Sequence, residues 1–356
     1  MKHAIGFFAT LLVSLPAFSQ TGGSGWTWQN PRPHGNDIYA LDFPDDVGSV
    51  VQHVGARGTI ARSTDGGSTY TIQTAPTEND LYDITFIDQN TLVAVGMDGI
   101  FRTTNGGQRW NTVLSSIPPL LSVDSYQNTI VTAGFLGIIR KSTDGGQTFT
   151  TISPVVDARH LTDFVTIRVM SSATYFASGL DGNFYRTDNG GLNWMASPTG
   201  TLNTLTGMSF INLNRGMMCG LGGTGLFTTN GGMTWFPTNT GTSEDLLERQ
   251  MVNDNTAYTV GRRGTILLTV NFGGNYTQQN SGTMRDLFDI QFGSINTMWG
   301  YAVGGFGIHL ETTNGGATWF EPTTGLDADE LHGLFRYLGS LTQQNAAGDT
   351  MLTCGK

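Results

Sequence analysis

Hydrophobic and polar positions in this chain follow one short pattern that returns about every 40 residues. In residues 80–114, apolar and polar side chains alternate along Leu81 to Asp88, which predicts a β-strand. Three further strand segments follow: Thr91 to Val95, Ile100 to Thr104 and Arg109 to Leu114. Glycine-rich turns separate them. The pattern therefore predicts four short antiparallel strands joined by hairpins, which form one sheet per repeat.

The turn before each fourth strand contains the dipeptide Gly-Gly. Its seven copies start at Gly66, Gly106, Gly145, Gly190, Gly231, Gly273 and Gly315. A fixed period of this length indicates one supersecondary unit copied in series. Repeated four-stranded sheets favour a β-propeller, in which radial packing leaves only short protected edges.

We therefore predict an all-β fold, a β-propeller of four-stranded antiparallel blades. Seven complete repeats cover about residues 37–325, so seven blades are expected. Eight blades, the last incomplete, are the alternative, because residues 329–356 match the first two strands of a repeat. Residues 26–31 match a lone fourth strand, so the single propeller is predicted over residues 26–356.

The first residues match a secretory signal. Lys2 and His3 precede an apolar run from Ala4 to Phe18, and Ala17-Phe18-Ser19 fits a cleavage site. A buried helix or a membrane anchor is the alternative, but the run is short for a membrane span. We expect a signal peptide over residues 1–19, a flexible mature N-terminus over residues 20–25, and export to the periplasm or the extracellular space.

The net charge of the chain limits the classes of partner that are expected. Charged residues make up only 13% of the sequence, and the net charge is −10. An acidic surface repels phosphate backbones, so a nucleic acid partner is not expected. The mature sequence has no second long apolar stretch, so no membrane insertion is expected either.

The Gly-Gly turns have a structural explanation. An Asp or Asn side chain accepts hydrogen bonds from turn N–H groups, and glycine permits positive φ. The aromatic residue that follows fills space between sheets. The sixth copy, Val270 to Tyr276, looks degenerate and one residue short. A structural role is predicted for Asp65, Asn105, Asp144, Asn189, Asn230 and Asn314.

The turn pattern, seen in Ser142-Thr-Asp-Gly-Gly-Gln-Thr-Phe149, resembles the Asp box of bacterial-neuraminidase-type repeats. The longer repeat, with Val95-Gly96 and the run Arg102 to Trp110, resembles the photosystem II stability/assembly factor-like propeller family. This resemblance implies an exported, non-enzymatic scaffold for protein–protein interaction or complex assembly. Two alternatives stay open: a carbohydrate-active propeller of glycoside hydrolase or sialidase type, and a structural module of a larger cell-surface protein.

Catalytic motifs are missing from the sequence. The Phe/Tyr-Arg-Ile-Pro start motif of sialidases is absent, and each repeat is too short to carry a catalytic insert. The six His residues lack metal-ligand spacing, and no phosphate loop is present. We expect no enzyme activity, no cofactor and no metal. A pair of turn carboxylates, Asp98 and Asp181, keeps two-carboxylate glycosidase chemistry as the alternative.

The turns between the second and third strands lie on the face opposite the Gly-Gly turns, and their residues differ from repeat to repeat. Exposed aromatic, apolar and arginine side chains in a ring suit a protein-binding surface, with ordinary loop variation as the alternative. The predicted partner-binding residues are Arg57, Asp98, Phe135, Asp181, Arg262, Arg263 and Phe306.

A second candidate surface is a basic stripe. Four consecutive repeats carry a cation just before the Ser or Thr of the box: Arg62, Arg102, Lys141 and Arg186. The alternative is a structural role, in which each cation pairs with a neighbouring carboxylate.

Overall fold

The computed structural model describes residues 35–44, 49–154, 163–293 and 297–322. These residues form 27 strands in seven antiparallel sheets. Six sheets have four strands in chain order, and the seventh has three. The sheets are numbered blades 1 to 7 along the chain, and the predicted all-β propeller of four-stranded blades is confirmed.

The strands of each blade run in order from the central channel outwards. Blade 1 has Ile38–Asp42, Val51–Gly55, Thr59–Ser63 and Thr71–Ile72. Blade 2 has Leu81–Phe86, Leu92–Gly96, Gly99–Thr103 and Asn111–Ser115. Blade 3 has Leu120–Tyr126, Thr129–Gly134, Ile139–Ser142 and Thr150–Thr151. Blade 4 has Phe164–Val169, Tyr175–Gly179, Phe184–Thr187 and Met195–Ala196.

The remaining blades repeat this plan. Blade 5 has Leu205–Phe210, Gly216–Gly220, Thr224–Thr228 and Phe236–Pro237. Blade 6 has Leu246–Met251, Ala257–Gly261, Ile266–Thr269 and Thr277–Gln279. Blade 7 has Leu287–Phe292, Gly300–Gly304 and His309–Thr312, and Phe320 adds a single bridge to Glu311.

A short 3₁₀ turn joins the second strand to the third in every blade except blade 2. These turns are Ala56–Gly58, Phe135–Gly137, Leu180–Gly182, Leu221–Gly223, Arg262–Gly264 and Gly305–Gly307. No helix in the described ranges has the length and apolar character needed to cross a membrane.

Burial falls from the second strand outwards. Every residue of Leu92–Gly96 is buried, whereas the fourth strand, Asn111–Ser115, is largely exposed. The glycine that ends each second strand is needed for close packing: a Cβ on Gly96 would lie 2.2 Å from the Asp80 carbonyl oxygen. The first strand bulges at this level, between Leu81 and Asp83. The Asp80 carbonyl, just before that strand, lies too close to Gly96 for any side chain there.

The ring closes between blade 7 and blade 1 without an intervening sheet. The Leu41 N–H donates to Asp289 Oδ2 at 2.8 Å, and the Phe306 N–H donates to Asp37 Oδ1 at 2.7 Å. Because the first strands of these two blades are in direct contact, seven blades complete the ring. The prediction of seven blades is confirmed, and the eight-bladed alternative is wrong.

Several predictions fall on residues outside the described ranges. They are the signal peptide over residues 1–19, the flexible start over residues 20–25, the lone strand over residues 26–31 and the partial repeat over residues 329–356.

The box turns share one hydrogen-bond pattern. In each, the Oδ1 of the Asp or Asn accepts the main-chain N–H four residues later, and the Ser or Thr two residues earlier donates its hydroxyl to the same oxygen. In blade 3, Asp144 Oδ1 lies 3.0 Å from Thr148 N and 2.7 Å from Ser142 Oγ. Hydroxyl and N–H donors hold the pKa of Asp144 well below its usual range. The same main-chain contact is made by Asp65, Asn105, Asn189, Asn230 and Asn314.

The sixth box is complete, so the prediction that it is one residue short was wrong. Asn271 Oδ1 accepts the Asn275 N–H at 3.0 Å, as the other boxes do. Phe272 takes the place of the first glycine, with a φ of 57°, and its N–H donates to Asn255 O. The sequence misleads because glycine follows at Gly274, which moves the Gly-Gly pair one position along the turn. Arg215 stacks on the Phe272 ring, with its Cζ 3.7 Å from the ring centroid.

Each box is also held by the blade before it. At six interfaces a side chain donates to the carbonyl oxygen of the first box glycine. The Tyr301 hydroxyl, for example, donates to Gly66 O at 2.8 Å across the closing seam. The other donor and acceptor pairs are Gln73 to Gly106, Arg102 to Gly145, Lys141 to Gly190, Arg186 to Gly231 and Tyr258 to Gly315.

Replacing Tyr301 by Phe should lower the free energy of unfolding by about 1 kcal/mol, because the Gly66 carbonyl loses its donor at the seam. Urea unfolding followed by tryptophan fluorescence measures this change. The matched control is Tyr126→Phe, at an exposed tyrosine, where we expect no change beyond about 0.5 kcal/mol. Equal stability of Tyr301→Phe and the wild-type protein would show that the seam does not depend on this bond.

Candidate functional site

The seven first strands surround a central cavity of about 2090 Å³. Its wall consists of side chains from these strands, and its mouth is formed by the turns between second and third strands. Of the seven predicted partner-binding residues, Arg57, Phe135, Arg262 and Phe306 line it. The predicted binding face and the channel mouth are therefore one surface.

The turns at this mouth have a fixed main chain. Their central residue is left-handed even where it carries a side chain, with φ of 56° at Arg57 and 57° at Phe306. An aspartate at the start of the next blade accepts the N–H of that residue, as Asp80 Oδ1 does from Arg57 N at 2.9 Å. The same contact links Leu136 to Asp163, Gly222 to Asp245, Arg263 to Asp286 and Phe306 to Asp37.

These aspartates were not predicted as functional residues, although the sequence carries a signal for them. Five of the seven first strands are preceded by Asp, and Pro119 or Thr204 replaces it in the other two. The main-chain carbonyl of Asp37 also accepts the Ala56 N–H of its own blade. One aspartate thus joins two neighbouring turns, which leaves the central side chain of each turn directed to solvent on a fixed backbone.

The predicted partner-binding residues differ in exposure. The side chains of Arg57, Asp181, Arg262, Arg263 and Phe306 are exposed, and Phe306 retains 68% of its accessible surface. Phe135 is half-buried, and its neighbour Leu136 is exposed instead.

The Asp98 carboxylate forms hydrogen bonds with a neighbouring loop. Its Oδ2 accepts from Thr77 Oγ1 at 3.0 Å and from Asn79 Nδ2 at 3.1 Å, so the carboxylate fastens the loop that enters blade 2. Asp98, Asp181 and Arg263 are not among the residues that line the cavity.

Arg262 lies between two of the aspartates at the blade starts. Its Nε is 3.1 Å from Asp245 Oδ2 and its terminal nitrogen is 3.4 Å from Asp286 Oδ2. The side chain is about half exposed, at 52%, so water screens these ion pairs and they add little stability. Arg262 is thus positioned by the pairs and still presented to solvent.

The basic stripe lies at the blade interfaces. Arg102, Lys141 and Arg186 each donate to a box carbonyl of the following blade, and Arg186 also forms a 2.8 Å ion pair with Asp188. Arg62 donates to Gln89 O at 3.0 Å. The stripe therefore contributes contacts between blades, most of them to main-chain carbonyls and not to the carboxylates that the structural alternative supposed.

Carboxylates line the channel, and they connect the first strands of adjacent blades. One edge of each first strand has no neighbouring strand, so its N–H groups need other acceptors. Asp83 Oδ2 accepts the Val123 N–H at 2.7 Å, from the blade that follows. The equivalent contacts join Asp42 to Phe86, Asp124 to Val169 and Asp289 to Leu41. Ser209 and Gln250 serve in the same way for Met251 and Phe292.

The wall of the channel is acidic because the described first strands contribute five carboxylates to it and two arginines, Arg168 and Arg249. The Arg168 guanidinium lies 3.1 Å from Glu248 Oε1. Burial raises the pKa of Asp42 to about 6 and of Asp83 to about 7, and it raises the pKa of Glu248 above its usual value. Hydrogen bonds act in the opposite direction on all three groups, and Arg168 does so on Asp83 and Glu248. Asp124 and Asp289 also have a raised pKa because they are buried. These carboxylates were not predicted, because in the sequence they occupy ordinary polar positions of alternating strands.

Three aromatic side chains lie on the first strands of blades 7, 1 and 2, and two of them, Phe288 and Tyr82, directly precede Asp289 and Asp83. The Tyr39 ring centroid is 5.8 Å from that of Tyr82 and 5.6 Å from that of Phe288. All three line the cavity. The equivalent positions of the other blades are Leu121, Val165, Thr206 and Leu247.

The described ranges contain no group of three or more His, Cys, Asp or Glu side chains arranged to hold a metal ion. By fold and by its turns, the chain belongs to the seven-bladed β-propellers with Asp-box repeats.

A family model matches part of the chain. Residues 68–208 match the family model described as photosynthesis system II assembly factor YCF48. The structure of YCF48 from Cyanidioschyzon merolae superposes with a TM-score of 0.66 at 19% identity, over 80% of this chain and 98% of that one. A structure of YCF48 bound to D1 peptide gives a TM-score of 0.65 at 19% identity, over 80% and 95%. These findings support a photosystem II assembly factor-like β-propeller family for this chain.

Other propellers share the architecture at lower identity. The GH74 xyloglucanase from Xanthomonas campestris gives a TM-score of 0.68 at 9% identity, over 84% of this chain. The chain spans only 56% of that enzyme, and the likeness shows the fold alone. No curated protein matches the sequence significantly.

The raised pKa of Asp42 has a testable consequence. Between the unfolded pKa, about 3.9, and the folded pKa, about 6, the folded state binds more protons, so this group's stability contribution falls as the pH rises. In Asp42→Asn that dependence should disappear. From pH 4 to pH 7 the free energy of unfolding of the wild type should therefore fall relative to that of the variant, by on the order of 1–3 kcal/mol.

Urea unfolding at several pH values measures that difference. Asp181→Asn, at an exposed turn carboxylate, is the matched control and should follow the wild-type pH curve. A wild-type and Asp42→Asn pair with parallel pH curves would contradict the assignment of a raised pKa to Asp42.

Proposed function

We propose that this chain is an exported, non-enzymatic scaffold that binds a protein segment at the channel mouth. The observation that carries the proposal is the contrast between the two faces. The box turns repeat the same residues, whereas the channel-mouth turns hold different exposed side chains on one repeated, hydrogen-bonded backbone. Arg57, Leu136 and Phe306 illustrate this contrast, because each occupies the same left-handed position. A rigid frame with variable side chains suits recognition, since little order is lost when a partner binds.

The comparison with a peptide complex supports the class of partner. The protein named YCF48 was solved bound to D1 peptide, and it shares the fold of this chain. At 19% identity this likeness does not show that the present chain binds the same peptide. It favours a peptide or an extended protein segment as the ligand, and the cavity of about 2090 Å³ has room for several side chains.

Export follows from the predicted signal peptide over residues 1–19. A scaffold of this kind would meet its partner in the periplasm or outside the cell, and the chain would act alone or as a module of a larger surface protein. The sequence features that carry this part of the proposal are the apolar run from Ala4 to Phe18 and the small residues at its end.

The carbohydrate-active alternative has weaker support. A glycosidase needs two carboxyl groups that face one sugar. Asp98 binds its own loop, and Asp181 lies on the turn of blade 4, outside the cavity wall. The channel carboxylates Asp42, Asp83, Asp124 and Asp289 already accept main-chain N–H groups, which gives them a structural task.

A channel-mouth variant tests the proposal. Arg262→Ser, Arg263→Asn and Phe306→Asn together remove two cations and one aromatic ring, and Asn is tolerated at the left-handed positions. We expect the melting temperature to stay within about 3 °C of wild type and the capture of partner protein to fall at least about tenfold. The assay is photo-crosslinking in an extract of the source cells, followed by mass spectrometry.

The matched control changes the opposite face. Leu192→Asn and Met233→Asn replace two exposed apolar side chains of the box turns and should leave capture unchanged. Capture that survives in the channel-mouth variant, or that disappears in the box-face control, would contradict the proposal. Release of reducing sugar from xyloglucan by the wild-type protein would favour the carbohydrate-active alternative instead.

A further inference from the structure

The channel mouth has one sector unlike the rest. In blades 7, 1 and 2 the channel wall nearest the mouth is aromatic, formed by Phe288, Tyr39 and Tyr82. The Tyr39 ring centroid lies 5.6 Å from that of Phe288 and 5.8 Å from that of Tyr82. In the other four blades the equivalent positions are aliphatic or Thr. Grouped aromatic faces attract a cation through their quadrupoles, and the attraction grows where water is excluded.

Carboxylates lie one position deeper in the same sector. Asp83 of blade 2 and Asp289 of blade 7 occupy equivalent places in their strands, since each is paired with the valine before the terminal glycine of the second strand. In blade 1, between them, the equivalent residue is Ala40. This sector therefore has an acidic group on each side and only a methyl group in the middle.

The hydrogen bonds of these two carboxylates leave them able to accept more. Asp289 accepts the Leu41 and Ile290 N–H groups, and Asp83 accepts the Val123 and Ile84 N–H groups with the Ser122 hydroxyl. Each bond comes from a neutral donor, and a carboxylate has about four acceptor positions. A cationic donor would add to these contacts without displacing them.

Three arginines of the cavity have their hydrogen-bonded or ion-paired partners mainly on blades other than 7, 1 and 2. Arg168, in blade 4, pairs with Glu248 of blade 6. Arg249 packs between blades 5 and 6, where its guanidinium donates to Met218 O and Thr259 Oγ1. At the rim, Arg262 is paired with Asp245 and Asp286. Arg57 of blade 1 and Arg285, just before blade 7, also line the cavity, and Arg168 attracts Asp83 and Asp289 at longer range. Among the described residues, every hydrogen bond to Asp83 and Asp289 nevertheless comes from a neutral donor.

We propose that this sector is a recognition pocket for a lysine or arginine side chain of the partner, held between the rings of Tyr39, Tyr82 and Phe288 and the carboxylates of Asp83 and Asp289. The inference rests on the proposed function and specifies the chemistry of the partner segment. Charge complementarity selects the cation, and the aliphatic wall formed by Leu121, Val165 and Leu247 receives apolar residues beside it. The partner is thus an extended segment with a basic residue between apolar ones.

The probe is a blocked pentapeptide with a central lysine between two leucines and a glycine at each end. Matched peptides carry arginine, glutamine or glutamate at the centre. Isothermal titration of the full chain at pH 8 in low salt should show the lysine and arginine peptides binding at least about tenfold more tightly than the glutamine peptide, because the cation gains both ring and carboxylate contacts. The glutamate peptide should bind most weakly.

Two variants locate the pocket. Asp83→Asn with Asp289→Asn keeps an oxygen to accept the Val123 and Leu41 N–H groups but removes both charges. The lysine peptide should then bind no better than the glutamine peptide. Asp181→Asn, an exposed carboxylate on the same face but outside the cavity wall, is the control and should keep the preference for lysine. Thermal melting confirms that both variants are folded.

A second change tests the rings separately, in case the Asn variant does not fold. Phe288→Leu keeps an apolar side chain of the aliphatic type found in blades 3 and 6 and should reduce the preference for lysine by about threefold or more.

Equal affinity for the lysine and glutamine peptides in the wild-type protein would overturn this inference. So would a preference for lysine that survives both the Asp83→Asn, Asp289→Asn pair and Phe288→Leu. A different result would contradict the proposed function: crosslinking to the partner that does not depend on Arg262, Arg263 and Phe306.

Discussion

The structure depends on side-chain acceptors that satisfy the open edge of each first strand. A propeller places seven such edges around its channel, and their N–H groups lack a strand partner. Asp42, Asp83, Asp124 and Asp289 accept these N–H groups from the adjacent blade, and the contact at Asp289 closes the ring. Because each bond joins two blades, the same residues that hold the channel also make it acidic. The charge of the cavity is thus a consequence of how the ring is held together.

The two faces of the ring follow from where the repeated contacts are made. On one face the box side chains fold back onto their own turns, and the preceding blade donates to their carbonyls, as Tyr301 does to Gly66. On the other face the repeated contacts include those between the N–H of the central turn residue and the aspartate at the start of the next blade, as between Phe306 and Asp37. The central side chains of these turns take no part in that contact, so Arg57, Leu136 and Phe306 can occupy the same backbone position.

The repeats predicted the fold because the residues that recur in them meet structural requirements within a single blade. Glycine at Gly96 is set by the nearby Asp80 carbonyl, and Asn or Asp in the box by the turn N–H groups, so both are visible in one repeat. The sixth box was misread because Phe272 adopts the left-handed conformation that elsewhere belongs to glycine. The channel carboxylates were missed for another reason: Asp83 and Val123 lie 40 residues apart in sequence, and the strand pattern does not show which polar side chain meets a neighbouring blade. The aromatic sector was missed likewise, because Tyr39 meets Phe288 only when the ring closes.

Amide hydrogen exchange measures the central claim directly. The N–H groups of Leu41, Phe86, Val123 and Val169 face the channel and have carboxylates as their acceptors. If these contacts hold the ring, the four amides exchange only when the whole domain unfolds, with the same free energy as the fully buried second strands. Exchange at the rate of exposed edge amides, while the second strands stay protected, would show that the blades are held by apolar packing alone and would contradict the account.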